Sequence, residues 1–239
     1  MIPESGRRFS EKIMRKNNMK VVIAGFGPFP GAPSNPSGRL AIALARRRRP
    51  ALAGIEIMSH VFATSYAAVD RDLRNLLAHK PDVILMFGLA GRRRHICIET
   101  RARNARSLIF PDVGGSRPER AAIETGPARE LRGNAPFAQL LHAVQRTVLP
   151  ARLSQRTVLP ARLSRDAGAY LCNYAYWRAL ESKQNNNVLV QFVHIPSIAV
   201  TPRRGAFKRR MPPLSRLVTA GENLLITLLA ARRRSCAAD

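Results

Sequence analysis

Apolar residues fall in short unbroken blocks separated by longer stretches of amphipathic spacing, and the two patterns alternate along the chain. Lys20 to Gly25 (KVVIAG) and Asp82 to Phe87 (DVILMF, followed by Gly88) read as strands buried on both faces, as in a parallel sheet. Residues 54–62 (GIEIMSHVF) and 187–193 (NVLVQFV) predict two more strands. Between them, 38–48 and 66–79 (YAAVDRDLRNLLAH) carry helical periodicity, the second with Thr64 or Ser65 as its N-cap.

Further along, HICIE alternates polar and apolar residues, which places His95, Cys97 and Glu99 on one face of a strand. Residues 103–133 are loop-rich. A helix at 135–147, a short strand before Cys172, a helix from Asn173 to about Ser182 and a terminal helix at 214–232 complete the plan. Arg232 to Arg234 close that last helix, where positive charge suits the negative end of its dipole. The alternation of strand and helix predicts an α/β fold: a single-domain three-layer α/β/α sandwich with a mostly parallel, doubly wound sheet. With 239 residues there is chain enough for one large core, expected over 19–234 between a loose extension (1–18) and a short tail (235–239).

One segment breaks the pattern. QRTVLPARLS at 145–154 recurs unchanged at 155–164, which is too short and too perfect for a solenoid repeat and reads as a local tandem duplication. Only one copy can enter the strand before Cys172. The other is expected to form a surface loop, at a closure cost that grows only logarithmically with length.

Charge alters the picture less than its size suggests. The formal net charge is +25, mostly from arginine runs such as 46–49, 92–94 and 232–234. These runs are scattered and lack interleaved aromatics, so they read as solvated helix ends with at most non-specific, salt-sensitive contact with nucleic acid. Three cysteines without a CxxC pair fit a reducing compartment rather than a disulfide scaffold. The polar N-terminus has no signal-peptide core, and the C-terminal apolar run is shorter than the ~20 residues of a membrane span. The expected location is cytoplasmic.

Candidate chemistry is concentrated in a few places. GFGPFPG (25–31) fails as a dinucleotide fingerprint: its third glycine is one place late, Pro28 has no N–H, and no acid follows at the required distance. Phe26 and Phe29 read instead as an apolar wall at a strand's carboxyl end. Cys172 stands between a strand and a helix, where the helix dipole and free amides favour a thiolate. His194 follows the strand 187–193 and Glu99 ends another, so base and orienting acid would meet the cysteine at three strand ends. A metal on His95, Cys97 and Glu99 is a weaker alternative, because alternate positions on one strand converge only with help from elsewhere.

The motifs GFGPFPGAPSNPS (25–37), GLAGRRRHICIETRARN (88–104), FPD (110–112), PARLSRDAGAYLCNY (160–174) and FVHIP (192–196) occur in an order that resembles pyroglutamyl peptidase I, the pyrrolidone-carboxylate family of cysteine peptidases. The resemblance implies Cys172, His194 and Glu99 as catalytic residues and Phe26, Phe29, Leu89, Tyr170 and Leu171 around the substrate. It also implies N-terminally pyroglutamylated peptides as substrates, no cofactor or metal, and a homo-oligomer. The alternative expectation is a catalytically weak or inactive relative that acts as a basic polyanion-binding protein.

The chain departs from the family at three positions: Leu89 replaces the glutamine of GQAGGR, while Ile109 and Val113 replace the arginine and asparagine of RIPDN. Arg93 matches the arginine of GQAGGR. Fewer polar groups leave fewer hydrogen bonds with which to select a lactam.

Overall fold

The computed structural model describes residues 19–29, 31–147, 159–182, 187–198 and 211–238. The expected extension 1–18 and residues 148–158 of the duplication lie outside them. The elements in chain order are β1 (Lys20–Phe26), α1 (Pro36–Ala45), β2 (Glu56–Phe62), α2 (Tyr66–Ala78), β3 (Val83–Leu89), β4 (Ile96–Glu99), β5 (Arg101–Arg103), β6 (Glu130–Arg132), α3 (Phe137–Gln145), β7 (Ala161–Ser164), α4 (Leu171–Ser182), β8 (Leu189–Ile195) and α5 (Leu214–Ala238).

Six strands form one sheet in the order β2-β1-β3-β8-β4-β7, and β5 and β6 form a separate two-stranded sheet, β5 at the start and β6 inside the end of the stretch expected to be loop. Every neighbouring pair in the large sheet is parallel except β4 and β8. Successive side chains of a strand point to opposite faces, so the apolar runs divide between two cores. Val21, Ile23, Val83, Leu85, Phe87, Val193 and Ile195 pack beneath α1, α3 and α5. Val22, Ala24, Ile84, Met86, Val190 and Phe192 pack beneath α2 and α4, with Tyr176 and Trp177. These are the three layers that the alternation predicts.

Local differences from the sequence reading have physical causes. Ser65 is the N-cap residue of α2 but makes no side-chain capping bond. Thr64 turns away, its hydroxyl donating to the carbonyls of Gly27 and Pro28. The free Tyr66 amide is met by the Asp112 carboxylate at 3.2 Å, from a loop 46 residues on. Arg232 and Arg234 do not close α5, which runs on to Ala238: Arg232 pairs with Asp82 and Arg234 bonds Gln139. Arg47 and Arg49 likewise do more than solvate a helix end, since both engage the buried Glu222 of α5.

α5 is long and apolar enough by length and composition to cross a membrane, unlike the shorter run visible in the sequence. Half of its most apolar 18-residue stretch is buried within the domain, and Leu217, Leu224, Leu225, Leu228 and Leu229 lie in the core. At about 1.5–3 kcal/mol for each fully buried leucine, its place is in the domain interior.

The second copy of the duplication supplies β7: Ala161 to Ser164 pair with Ile96 to Glu99, and Leu159 is buried just upstream. The first copy begins as the end of α3, where Gln145 is the last helical residue.

Candidate active site

The loop after β1 is held by its own sequence. Asn35, the N-cap of α1, accepts from Ser37 N and donates to Gly27 O at 2.9 Å, while Ser37 Oγ accepts from Phe26 N at 3.0 Å. A Cβ on Gly25 would stand 2.3 Å from the Ser37 carbonyl oxygen, so this glycine serves helix–strand contact rather than a phosphate. Phe26 is almost wholly buried, its ring 5.5 Å from Phe62 and 6.3 Å from Phe192. Phe29 is half-buried, 6.3 Å from the ring of Tyr170.

Tyr170 is also partly exposed, with its hydroxyl donating to Pro111 O at 2.7 Å. Leu89, at the end of β3, keeps some exposed surface, whereas Leu171 has none and packs in the core. Phe29, Leu89 and Tyr170 are therefore the accessible members of the five. Ile109 and Phe110 stand well out, at 74 % and 62 % exposed. Their loop is anchored by Asp112, which accepts from Gly114 N and Ser116 N as well as Tyr66 N.

The three catalytic candidates do come together, but not at three strand ends. Cys172 lies in the first turn of α4, which begins at Leu171 rather than Asn173. The buried Asn173 clasps the β5 backbone instead, accepting from Arg103 N and donating to the carbonyls of Arg103 and Ala105. Glu99 ends β4 and His194 lies one residue before the end of β8, and these strands run antiparallel. Their carboxyl ends point in opposite directions. The side chains meet because the register pairs Cys97 with His194 and Glu99 with Phe192, making Glu99 and His194 diagonal neighbours on the face beneath α4.

Glu99 is fully buried, and its Oε1 accepts from His194 Nδ1 at 2.8 Å and Arg93 NH1 at 3.2 Å. Cys172 acts on the same imidazole and favours its protonated form. Burial lowers the imidazole's proton affinity, but the interactions with Cys172 and Glu99 outweigh it and raise the pKa from 6.5 to about 9. Among the described residues no group of three His, Cys, Asp or Glu side chains is placed to hold a metal.

The chain aligns with the family described as pyroglutamyl peptidase over residues 19–227. It is 30% identical to the pyrrolidone-carboxylate peptidase of Vibrio vulnificus over 212 residues, 88% of this chain and 92% of that one. The chain belongs to the pyroglutamyl peptidase family. The pyrrolidone-carboxylate peptidase of Gloeobacter violaceus is 32% identical over 180 residues, covering 74% of this chain and 82% of that one. Among solved structures, the pyrrolidone carboxyl peptidase of Thermococcus litoralis superposes with a TM-score of 0.78 at 23% identity, over 91% of this chain and 96% of that one. That of Thermus thermophilus gives 0.72 at 26%, over 87% and 100%.

Three contributors to this candidate site are not assigned from sequence: Gly88, Tyr176 and Gln191. Gly88 lies beneath Cys172: a Cβ there would be 2.8 Å from both Cys172 Sγ and Phe192 Cζ. The glycine after DVILMF was the available signal, though read only as a strand end. Tyr176 and Gln191 hold the Glu99 backbone carbonyl from α4 and β8 at 3.0 and 3.1 Å, and nothing local in the sequence points to that carbonyl.

Gly88→Ala tests the close approach. It is expected to destabilise the protein by about 1–3 kcal/mol, as overpacking does, and to slow Cys172 alkylation. Thermal unfolding with the iodoacetamide rate checks this, and an unchanged rate in a folded variant would show that Sγ has room to move.

Proposed function

We propose that the protein is a cysteine exopeptidase that removes N-terminal pyroglutamyl residues from peptides, with Cys172 as nucleophile, His194 as general acid and base, and Glu99 as orienting acid. The observation that carries this reading is the hydrogen bond from His194 Nδ1 to the buried Glu99 carboxylate at 2.8 Å, with Cys172 acting on the same imidazole.

The Cys172 thiolate attacks the carbonyl carbon of the pyroglutamyl amide, and the oxygen takes up the electron pair. Amides in the first turn of α4 lack intrahelical partners and are available to that oxyanion. As the C–N bond breaks, His194 gives its proton to the departing amine and a thioester remains. His194 then takes a proton from water, which attacks the thioester; pyroglutamate leaves and the cysteine is restored. Glu99 holds the imidazole in one tautomer throughout.

Phe29 and Tyr170 offer apolar surface to the lactam ring, with Phe26 behind them and Leu89 in place of a polar side chain. A polyanion-binding protein without catalysis is not favoured, because a buried acid–imidazole–thiol line has no part in binding polyanions. Cytoplasmic placement, homo-oligomerisation and at most non-specific contact with nucleic acid belong to the same proposal. They rest on the unpaired cysteines, the family resemblance and the charge.

The direct test compares hydrolysis of the p-nitroanilides of pyroglutamate and proline by the full chain. These acyl groups differ by the lactam carbonyl, so cleavage of the first and not the second is expected. Equal rates would mean that the lactam goes unread, and silence on both in a folded protein would sink the reading.

A further inference from the structure

We propose that Arg93 is a positioning residue for this chemistry: it shares the carboxylate oxygen of Glu99 with His194 and ties that oxygen to the segment leading into the nucleophile's helix. The inference rests on the reading of Cys172, His194 and Glu99 given above.

Arg93 sits in the connection from β3 to β4 with its side chain 33% exposed. NH1 donates to Glu99 Oε1 at 3.2 Å, and NH2 donates to the backbone carbonyl of Asp166 at 3.1 Å, with Ser164 Oγ at 3.5 Å from NH1. Ser164 ends β7 and Asp166 lies in the stretch that joins it to α4, so one guanidinium connects the orienting acid to the chain that delivers Cys172. The planar fork of arginine can bridge two such acceptors, and a lysine ammonium cannot reproduce the same pair of directions.

Charge balance supports the same role. In the reactive state Glu99 and the Cys172 thiolate are negative and His194 is positive, which would leave one uncompensated negative charge in a buried cluster. Arg93 supplies the missing positive charge from the solvent side. The other titratable groups around Glu99 are Cys97 on its own strand, in contact with Arg93, and Tyr176 of α4. Beyond them, Arg162 and Asp166 act on Cys97 and Arg93 from β7 and the segment after it. Burial raises the pKa of Tyr176, and burial raises that of Cys97 against the pull of Arg93, so both stay neutral at the pH of the reaction. Arg93 is the cation that touches the Glu99 carboxylate besides His194 among the described residues.

The test uses the full chain as wild type, Arg93→Gln and Arg93→Lys. It reads kcat and KM on pyroglutamyl p-nitroanilide against pH, and separately the pH dependence of Cys172 alkylation by iodoacetamide. Alkylated peptides are resolved by mass spectrometry, because Cys236 is exposed and also reacts. Arg93→Gln is expected to lower kcat by roughly 10- to 100-fold, the usual cost of losing a partner that orients a functional side chain, with KM changed little. Less positive charge then faces the carboxylate and the thiolate, so the acid limbs of both profiles move up by about one pH unit. Arg93→Lys is expected to return the limbs towards wild type while recovering only part of kcat.

Profiles of unchanged shape in both variants, whether or not the melting temperature falls, would overturn the proposal and leave Arg93 as a fold contact. Arg93→Lys carries the test by itself if Arg93→Gln does not fold: a kcat equal to wild type would show that the two-armed bridge is not used. Alkylation needs no substrate, so shifted alkylation limbs without pyroglutamyl hydrolysis would reject the substrate assignment and keep the role of Arg93.

Discussion

Replacing Cys172 with serine is expected to abolish turnover, lowering kcat/KM on a pyroglutamyl anilide by at least about 10⁴-fold, the scale on which loss of a nucleophile is felt in triad hydrolases. A thiol and a hydroxyl occupy similar space, and Cys172 lies only half-buried in the first turn of α4, so melting temperature and circular dichroism should hardly change. Its place explains the expected size of the loss. The sulfur sits over Gly88, where even a methyl group would be too close, and acts on the His194 imidazole, so a hydroxyl put there inherits the position without the ease of ionisation. Activity within about tenfold of wild type, insensitive to iodoacetamide, would remove Cys172 from the mechanism, since no residual pathway in such sites is that fast.

The second large effect belongs to His194. His194→Gln keeps roughly the volume of the ring and a donor for Glu99 but cannot exchange a proton, and a fall in kcat of about 10³–10⁴-fold is expected. The same residue sets a pH dependence. Although burial lowers its pKa, interactions with Cys172 and Glu99 raise it from 6.5 to about 9 in the folded protein. A folded pKa above the unfolded one means that the native state holds its proton more tightly. The resulting stability is present in full below about pH 6.5, erodes as pH rises, and is gone once pH passes about 9. Wild type should therefore lose melting temperature from pH 6.5 to 9 more steeply than His194→Gln, and its kcat should fall on the alkaline side near 9. Parallel melting curves against pH for the two proteins would show that His194 is not held protonated by the fold.

The strands around Val21 to Ala24, Val83 to Phe87 and Val190 to Val193 were legible because a residue buried on both faces must be apolar, and no partner need be known to see it. Cys172, His194 and Glu99 were legible as types of residue beside strand and helix boundaries, and ordered motifs named the family. The expected meeting at parallel strand ends does not hold: β4 runs against β8, and the acid meets the imidazole through diagonal register.

Other features depended on partners far away in the chain. Asp112 caps α2 in place of Thr64 or Ser65, Arg93 reaches Ser164 and Asp166, and Asn173 clasps Arg103 and Ala105 instead of opening a turn. Arg232 turns to Asp82 rather than to the end of its own helix.

By itself, then, the sequence determined the α/β layering, the buried strands, the family and the three residues proposed for the chemistry, because periodicity and motif order are local properties of a chain. Only the tertiary structure decided the direction of β4, the start of α4, the close approach of Sγ to Gly88 and the bridge from Arg93. Each of these depends on contacts between segments from 6 to 97 residues apart, and their geometry exists only once the sheet has assembled.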